Sequence, residues 1–340
     1  MGRARFPSTR QWFSSVLLAL ALGCAPTLPD PRLSGEPHQL FVLPDDTQPP
    51  SPAASPALSP ALSLLTSATR SIALEMYLLT DDDALDALCA ARLAGREVIV
   101  ILERAPYRAD GANQPAFDRL AQAGVDVVWA NARTPLTHAK LLVVDGQRVA
   151  VMTANLTRAG LTSNREYLVI SDDPTDVADA QAIIIADRTA VDAPAPVGHL
   201  VATPGAAREE LTALADGARW RLDVQMEELS DAGLVASLGA AVRRGVTVTV
   251  VAPARDRSAA TNSALGRLAA AGAVVRLLES PTVHAKAMVA DQRRFYTGSM
   301  NLTVSSLDTN REVGLILDDE AGARRISSVI AQDAARGVAP

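Results

Sequence analysis

The sequence predicts an α/β layered fold built from two similar halves, and two observations carry that prediction. The first is a repeat: Pro135 to Asp173 and Pro281 to Asp319 align without a gap at a constant spacing of 146 residues. His138 falls on His284, Lys140 on Lys286, Asp145 on Asp291, Asn155 on Asn301, Asn164 on Asn310, Arg165 on Arg311 and Glu166 on Glu312. The chain has only 4 histidines, and two of them occupy the same place in two copies of one pattern, so the repeat is the first fact to explain. The second observation is that apolar strand-like runs alternate with helical patterns ahead of each copy, in the same order, which argues helices layered on a largely buried sheet.

Residues 1–24 read as a signal peptide. Arg3, Arg5 and Arg10 precede an apolar run from Trp12 to Leu22 that is too short to span a bilayer and suits a signal core. Ala21 to Cys24 resemble a bacterial lipidation signal with Leu displaced from its usual place, so lipidation at Cys24 is expected, with an ordinary cleaved signal as the alternative. The expected location is therefore outside the cytoplasm, in the cell envelope, lipid-anchored, periplasmic or extracellular. Cys89 lies in an apolar helical pattern and reads as a buried small residue, so no disulfide framework is available.

Residues 25–37 read as a Pro-rich linker, residues 38–195 as the first half and residues 196–340 as the second. Ten prolines between Ala25 and Pro60 make an extended spacer that cannot bury enough surface to fold alone. Leu40 to Leu43 ahead of Pro44 is the apolar island in it and reads as the first strand, matched by Leu200 to Thr203 ahead of Pro204. Thr47 to Pro60 then reads as an insertion that the second half lacks. The next elements are a strand at Ile72 to Leu79, a helix at Asp81 to Ala94, a buried strand at Glu97 to Leu102, a helix around Pro115 to Ala123 and a strand at Val125 to Trp129. Their counterparts are Leu222 to Met226, Asp231 to Arg244, Thr247 to Val251, Asn262 to Ala271 and Val274 to Leu278. Asp81 and Asp231 read as helix caps, and Gly95, Gly124, Gly245 and Gly272 as helix terminators.

Each copy of the repeat reads as a strand hairpin with polar side chains on one side. Leu141 to Val144 and Val149 to Met152 bracket the turn pair Asp145 and Gly146, and Lys286 to Ala290 and Phe295 to Asn301 bracket Asp291 and Gln292. Side chains alternate along a strand, so His138 and Lys140 share a face, as do Thr153 and Asn155. The product is a quartet per copy of His, Lys, a hydroxyl and Asn. These types suit a phosphate diester: Lys supplies a compact charge, Asn and Thr or Ser supply neutral donors, and His can be a nucleophile or a proton carrier near neutral pH.

The pattern HxK(x)4D, followed ten residues after the Asp by Asn and then by Asn-Arg-Glu, resembles the phospholipase D superfamily over roughly residues 38 to 335, and it occurs twice. The resemblance implies two pseudo-symmetric halves, each a mixed β-sheet flanked by helices, with both HxK motifs in one active-site cleft. It implies that one His attacks phosphorus while the other protonates the departing alcohol and then activates water. Lys140, Lys286, Asn155 and Asn301 would hold the nonbridging oxygens. Family analogy makes His138 the more usual nucleophile, without deciding it. Glu166 and Glu312 would orient an imidazole, in its own half or the opposite one. Asp145 and Asp291, at hairpin tips, are expected to hold the motif in shape. Thr153 stands where Ser299 stands in the second copy, and Met152 where Gly298 does, which leaves open whether the two hydroxyls make equivalent contacts.

No cofactor is expected, and no metal: each motif His sits beside a Lys that would repel a cation, and no Cys or third His completes a ligand set there. Activity in EDTA is the expectation. The net charge of −6 does not suggest a nonspecific nucleic-acid binder. Together with expected export, this leans toward hydrolysis of a phospholipid substrate at a membrane surface. A secreted metal-independent nuclease and a cardiolipin synthase-like phosphatidyltransferase are the alternatives, and no obligate protein partner is implied.

Overall fold

The computed structural model describes residues 38–44 and 59–340. The expected signal peptide, Cys24, the linker at 25–37 and nearly all of the insertion lie outside the described residues. The first half runs β1 (His38–Leu43), α1 (Pro60–Thr66), β2 (Ser71–Met76), α2 (Asp82–Leu93), β3 (Glu97–Leu102), α3 (Gln114–Gln122), β4 (Asp126–Trp129), β5 (Lys140–Val144), β6 (Arg148–Met152), α4 (Arg158–Thr162), β7 (Asn164–Ser171) and α5 (Pro174–Thr189). The second runs β8 (Leu200–Thr203), α6 (Ala207–Gly217), β9 (Arg221–Met226), α7 (Ala232–Arg243), β10 (Thr247–Pro253), α8 (Ala259–Ala271), β11 (Val274–Leu278), β12 (Thr282–Val283), β13 (Lys286–Ala290), β14 (Arg294–Gly298), α9 (Val304–Asp308), β15 (Glu312–Leu317) and α10 (Glu320–Arg336).

Each half forms a mixed sheet, and the two orders correspond strand for strand. The first is β1-β7-β6-β5-β2-β3-β4 and the second, read from its other edge, is β8-β15-β14-β13-β9-β10-β11. In both, the last three strands are parallel, joined by helical crossovers, and the other pairings are antiparallel, with β5–β6 and β13–β14 as hairpins. The helices begin and end where their sequences dictate. The Asp81 carboxylate accepts the Ala84 N–H at 3.1 Å and Asp231 accepts that of Leu234 at 2.9 Å. Gly95 and Gly245 take up φ of +83° and +88° directly after the corresponding helices, a conformation costly for other residues.

Both sheets bury their second face against each other. Leu141, Val143 and Val169 of the first half pack in one cluster with Ala287, Val289 and Leu315 of the second, and Ile183, Ile184, Ile326 and Ile330 of α5 and α10 close it. Each such side chain contributes roughly 1.5–3 kcal/mol when fully buried, so the halves share a core and form one unit. Two buried ion pairs cross the same seam in matching positions: Arg165 meets Asp333 on α10 at 2.8 and 3.0 Å, and Arg311 meets Asp187 on α5 at 2.7 and 2.9 Å.

The hairpins differ from the sequence reading at their site ends. β5 begins at Lys140, and β6 stops at Met152, so His138, Thr153 and Asn155 lie on continuations beyond the ladder. The chain leaves the sheet there because its backbone is bonded elsewhere, His138 N–H to the Arg311 carbonyl at 2.8 Å and Arg311 N–H to that of Leu136 at 2.8 Å. The Met152 and Gly298 difference is a redistribution of volume. A Cβ on Gly298 would lie 2.2 Å from the Gly314 Cα, and one on Gly314 would lie 2.4 Å from the Tyr296 ring. The second half therefore fills this layer with Tyr296 between two glycines, where the first uses Ala150, Met152 and Leu168.

Candidate active site

The two motifs meet at the seam because each is tied by its backbone to the Asn-Arg-Glu run of the other half. β12, directly before His284, pairs in parallel with Asn164 and Arg165 at the start of β7, and Thr137 bridges Arg311. The side chains repeat the exchange. His138 Nδ1 is 2.8 Å from Glu312 Oε2, and His284 Nδ1 is 2.7 Å from Glu166 Oε1. Each imidazole is thus held by a carboxylate of the opposite half, leaving its Nε2 directed away from that contact. The carboxylates are themselves fixed. Thr153 Oγ1 donates to Glu166 at 2.5 Å and Asn164 Nδ2 to Glu166 at 3.5 Å, and Asn310 Nδ2 donates to Glu312 at 3.4 Å. Ser299 Oγ accepts the Val313 N–H at 3.0 Å and bonds Glu312. The hydroxyls of Thr153 and Ser299 therefore make equivalent contacts in both halves. They hold carboxylates, which corrects the reading of them as phosphate donors.

The lysines are wholly buried, each with its ammonium on the carbonyl of its own motif's histidine: Lys140 Nζ on His138 O at 2.6 Å and Lys286 Nζ on His284 O at 2.5 Å. Here the symmetry breaks. In the first half the ring of Tyr77 lies 4.7 Å from Lys140 Nζ and, edge to face, 4.5 Å from the His138 ring. Glu227 takes that place in the second half. Its carboxylate is 2.6 Å from Lys286 Nζ and 3.7 Å from His284 Nε2, and it accepts from Asn301 Nδ2 at 3.2 Å. Asn301 Oδ1 in turn accepts the Glu228 N–H at 3.0 Å, whereas the buried Oδ1 of Asn155 has no partner among the described residues.

Charge separates the two sides as well. Burial, with help from Lys140 and Lys286, holds His138 below the ordinary imidazole range despite Glu312, so it is neutral near pH 7. Burial and then Lys286 bring Lys140 down to about 7. Burial pushes Glu312 upward, but His138 and Lys140 outweigh it and keep it ionised. Glu227 is likewise held well below the carboxylate range, burial being outweighed by Lys286 and His284. The first imidazole therefore has a carboxylate on one nitrogen and an aromatic ring beside it, while the second has carboxylates toward both nitrogens.

Asp145 and Asp291 lie away from this cluster. Asp145 accepts the N–H groups of Thr69, Arg70 and Ser71 at 2.6 to 3.1 Å, and Asp291 those of Arg219, Trp220 and Arg221 at 2.9 to 3.2 Å. Both pin the hairpin tip to the start of the neighbouring strand. Tyr77 and Glu227 were not singled out by the sequence. The signal that reveals them is the alignment of Met76-Tyr77 through Asp81 with Met226-Glu227 through Asp231, which requires a spacing four residues longer than that of the motifs.

The family model "Cardiolipin synthase, PLD-like domain" matches the chain twice, over residues 61–187 and 211–334. Cardiolipin synthase A of Erwinia tasmaniensis is 35% identical over 125 residues, covering 34% of this chain and 25% of that protein. The mitochondrial cardiolipin hydrolase of Chlamydomonas reinhardtii is 28% identical over 117 residues, covering 34% of this chain and 51% of that one. The chain thus spans between a quarter and about half of the length of these relatives. Among solved structures, phosphatidylserine synthase of Haemophilus influenzae is similar in fold with a TM-score of 0.60 at 12% identity, covering 81% of this chain and 83% of that one. Polyphosphate kinase of Porphyromonas gingivalis gives 0.65 at 15% identity, covering 90% and 53%.

Proposed function

The chain belongs to the phospholipase D superfamily, whose chemistry is phosphodiester cleavage and phosphatidyl transfer, and from that premise we propose that it hydrolyses the headgroup ester of phospholipids through a phosphohistidine. The reciprocal pairs His138–Glu312 and His284–Glu166 are the observation that carries the reading, since they place two imidazoles at one seam, each with its Nδ1 within 2.8 Å of a carboxylate oxygen of the opposite half. His138, neutral and donating through Nδ1, offers the Nε2 lone pair to phosphorus. His284, with Glu227 facing Nε2, carries the proton to the departing alcohol and afterwards takes one from water. Bond formation from Nε2 of His138 to phosphorus and loss of the alcohol give the phosphoenzyme. Attack by water then breaks the N–P bond, restores the imidazole and releases phosphatidic acid. Lys140, Lys286, Asn155 and Asn301 offset charge on the nonbridging oxygens.

Several features support a lipid surface over a nucleic acid. The cleft carries carboxylates beside its lysines, and the net charge is −6. Tyr107, 72% exposed, donates its backbone N–H to the Tyr77 hydroxyl at 2.6 Å and so stands next to the site, where an amphipathic ring suits an interface. No described helix is long and apolar enough to cross a membrane. Export and attachment through Cys24 would bring such a site to the bilayer. Phosphatidyl transfer is the second reading, favoured by the similarity to cardiolipin synthase A; it differs only in an alcohol replacing water in the second step.

The test presents phosphatidylcholine, phosphatidylglycerol, cardiolipin and plasmid DNA side by side in EDTA, with His138→Ala and His284→Ala as controls. Headgroup release without nicked plasmid supports the proposal. A dilipid product formed with added alcohol selects the transferase, and nicked plasmid alone selects a nuclease.

A further inference from the structure

The two histidines outside the motifs come together as well. His38 is the first residue of β1, His199 immediately precedes β8, and Asp176 lies in the first turn of α5, so the three groups are separated by 138 and 23 residues along the chain. The Asp176 side chain is fully buried. Its Oδ2 is 3.2 Å from His38 Nε2 and 3.2 Å from His199 Nδ1, and its Oδ1 is 3.0 Å from His199 Nδ1. One atom from each residue can be chosen so that all lie within 4.8 Å of one another. Ligand atoms around a tetrahedral ion with bonds of about 2.1 Å stand roughly 3.4 Å apart, so the nitrogen-to-oxygen spacings are already close to those of a coordination sphere.

We infer that His38, Asp176 and His199 form a binding site for a divalent transition-metal ion of the zinc type. Two neutral imidazoles and one carboxylate make a nitrogen-rich, borderline-soft donor set, which favours zinc, cobalt or nickel over calcium or magnesium. The surrounding groups orient the donors. Ser171 Oγ donates to Asp176 Oδ2 at 2.7 Å and the His199 N–H to Oδ1 at 2.8 Å. The rings stand nearly perpendicular, 86° apart with centroids 5.0 Å apart. Gly198 lets the chain lie this close, since a Cβ there would come 2.6 Å from Asp176 Oδ1. His199 is 41% exposed in its side chain, which leaves a side open for water as a fourth ligand.

The site is separate from the catalytic seam. His38 is paired with Ser171, at the end of β7 opposite to Asn164, a strand of 8 residues away. An ion here would clasp the edge strand β1 and the connection between the halves to the first turn of α5. Its role would be to hold the architecture, with no part in phosphoryl chemistry.

The experiment titrates Co²⁺ and then Zn²⁺ into the purified protein, free of any polyhistidine tag and pretreated with chelator, following the Co²⁺ visible spectrum and the unfolding temperature. One equivalent should bind, with tetrahedral-type absorption bands that Zn²⁺ abolishes and with a rise in unfolding temperature. His38→Ala and His199→Ala should each weaken binding by at least 100-fold, and Ser171→Ala by roughly tenfold while leaving the fold intact. Absence of saturable binding overturns the inference, as does binding that survives both histidine variants. Binding lost in His138→Ala or His284→Ala instead would place the ion at the seam and overturn it too. A cluster that only hydrogen-bonds would show pH-dependent unfolding without metal uptake, which is also an overturning result.

Discussion

Replacing Glu312 by Gln should disable the histidine of the other half. Glu312 is fully buried and its carboxylate is 2.8 Å from His138 Nδ1, and Gln keeps the shape while removing the charge. Unit charges about 4 Å apart at an effective dielectric near 20 attract by roughly 4 kcal/mol, so a transition state in which His138 becomes cationic loses up to about 10³-fold in rate. The assay has two parts. Turnover of a water-soluble phosphodiester reports the rate, and ¹⁵N spectra of histidine-labelled protein report which ring responds, a tractable experiment with 4 histidines in the chain. His138 should shift in Glu312→Gln with His284 nearly unmoved, and the reverse should hold in Glu166→Gln. A response of the same-half histidine, or a rate within threefold of the parent, would refute the exchange of carboxylates between halves.

Three further outcomes follow from the same charges. Sulfate affinity should weaken by up to tenfold per unit above about pH 7, because Lys140, held near 7, loses its proton there; Lys140→Met should remove this fall in a calorimetric titration. Glu227→Gln should bind sulfate more tightly, since Lys286 is freed from a carboxylate at 2.6 Å, yet turn over more slowly because His284 loses the group facing Nε2. Glu75 is fully buried, raised well above the ordinary carboxylate range by burial and then by Asp187, and therefore protonated in the fold. The unfolded chain ionises it above about 4.5, so this residue makes stability fall as pH rises from there toward its folded pKa. Glu75→Gln should flatten that fall in urea unfolding followed upward from pH 5, and an unchanged slope would count against a neutral carboxyl.

Much of the fold is legible because the chain states it twice. Glu97 to Leu102 is a strand at the residues that its apolar run marks, and Asp81 and Asp231 cap the helices that their positions announce. The helices that flank the motifs were less visible. α1 opens at Pro60, inside a stretch whose prolines read as spacer, and α5 alternates apolar and acidic residues because it is buried on the shared core while carrying Asp176 and Asp187 to separate partners. In the site, the residues of the motif are evident from the repeat, whereas the crossing of Glu166 to His284 depends on packing between halves that no spacing encodes. Tyr77 and Glu227 escaped because pseudo-symmetry marks residues that are the same, and these two matter by being different. The His38, Asp176 and His199 cluster joins residues scattered over the chain and has no motif.

In the proposed reaction one phosphorus atom is flanked by both imidazoles. A calorimetric titration with orthovanadate, as a mimic of the pentacoordinate phosphoryl group, measures it directly. One equivalent should bind per chain, with binding abolished alike by His138→Ala and by His284→Ala. Two equivalents per chain, or a site retained in full by either variant, would contradict it.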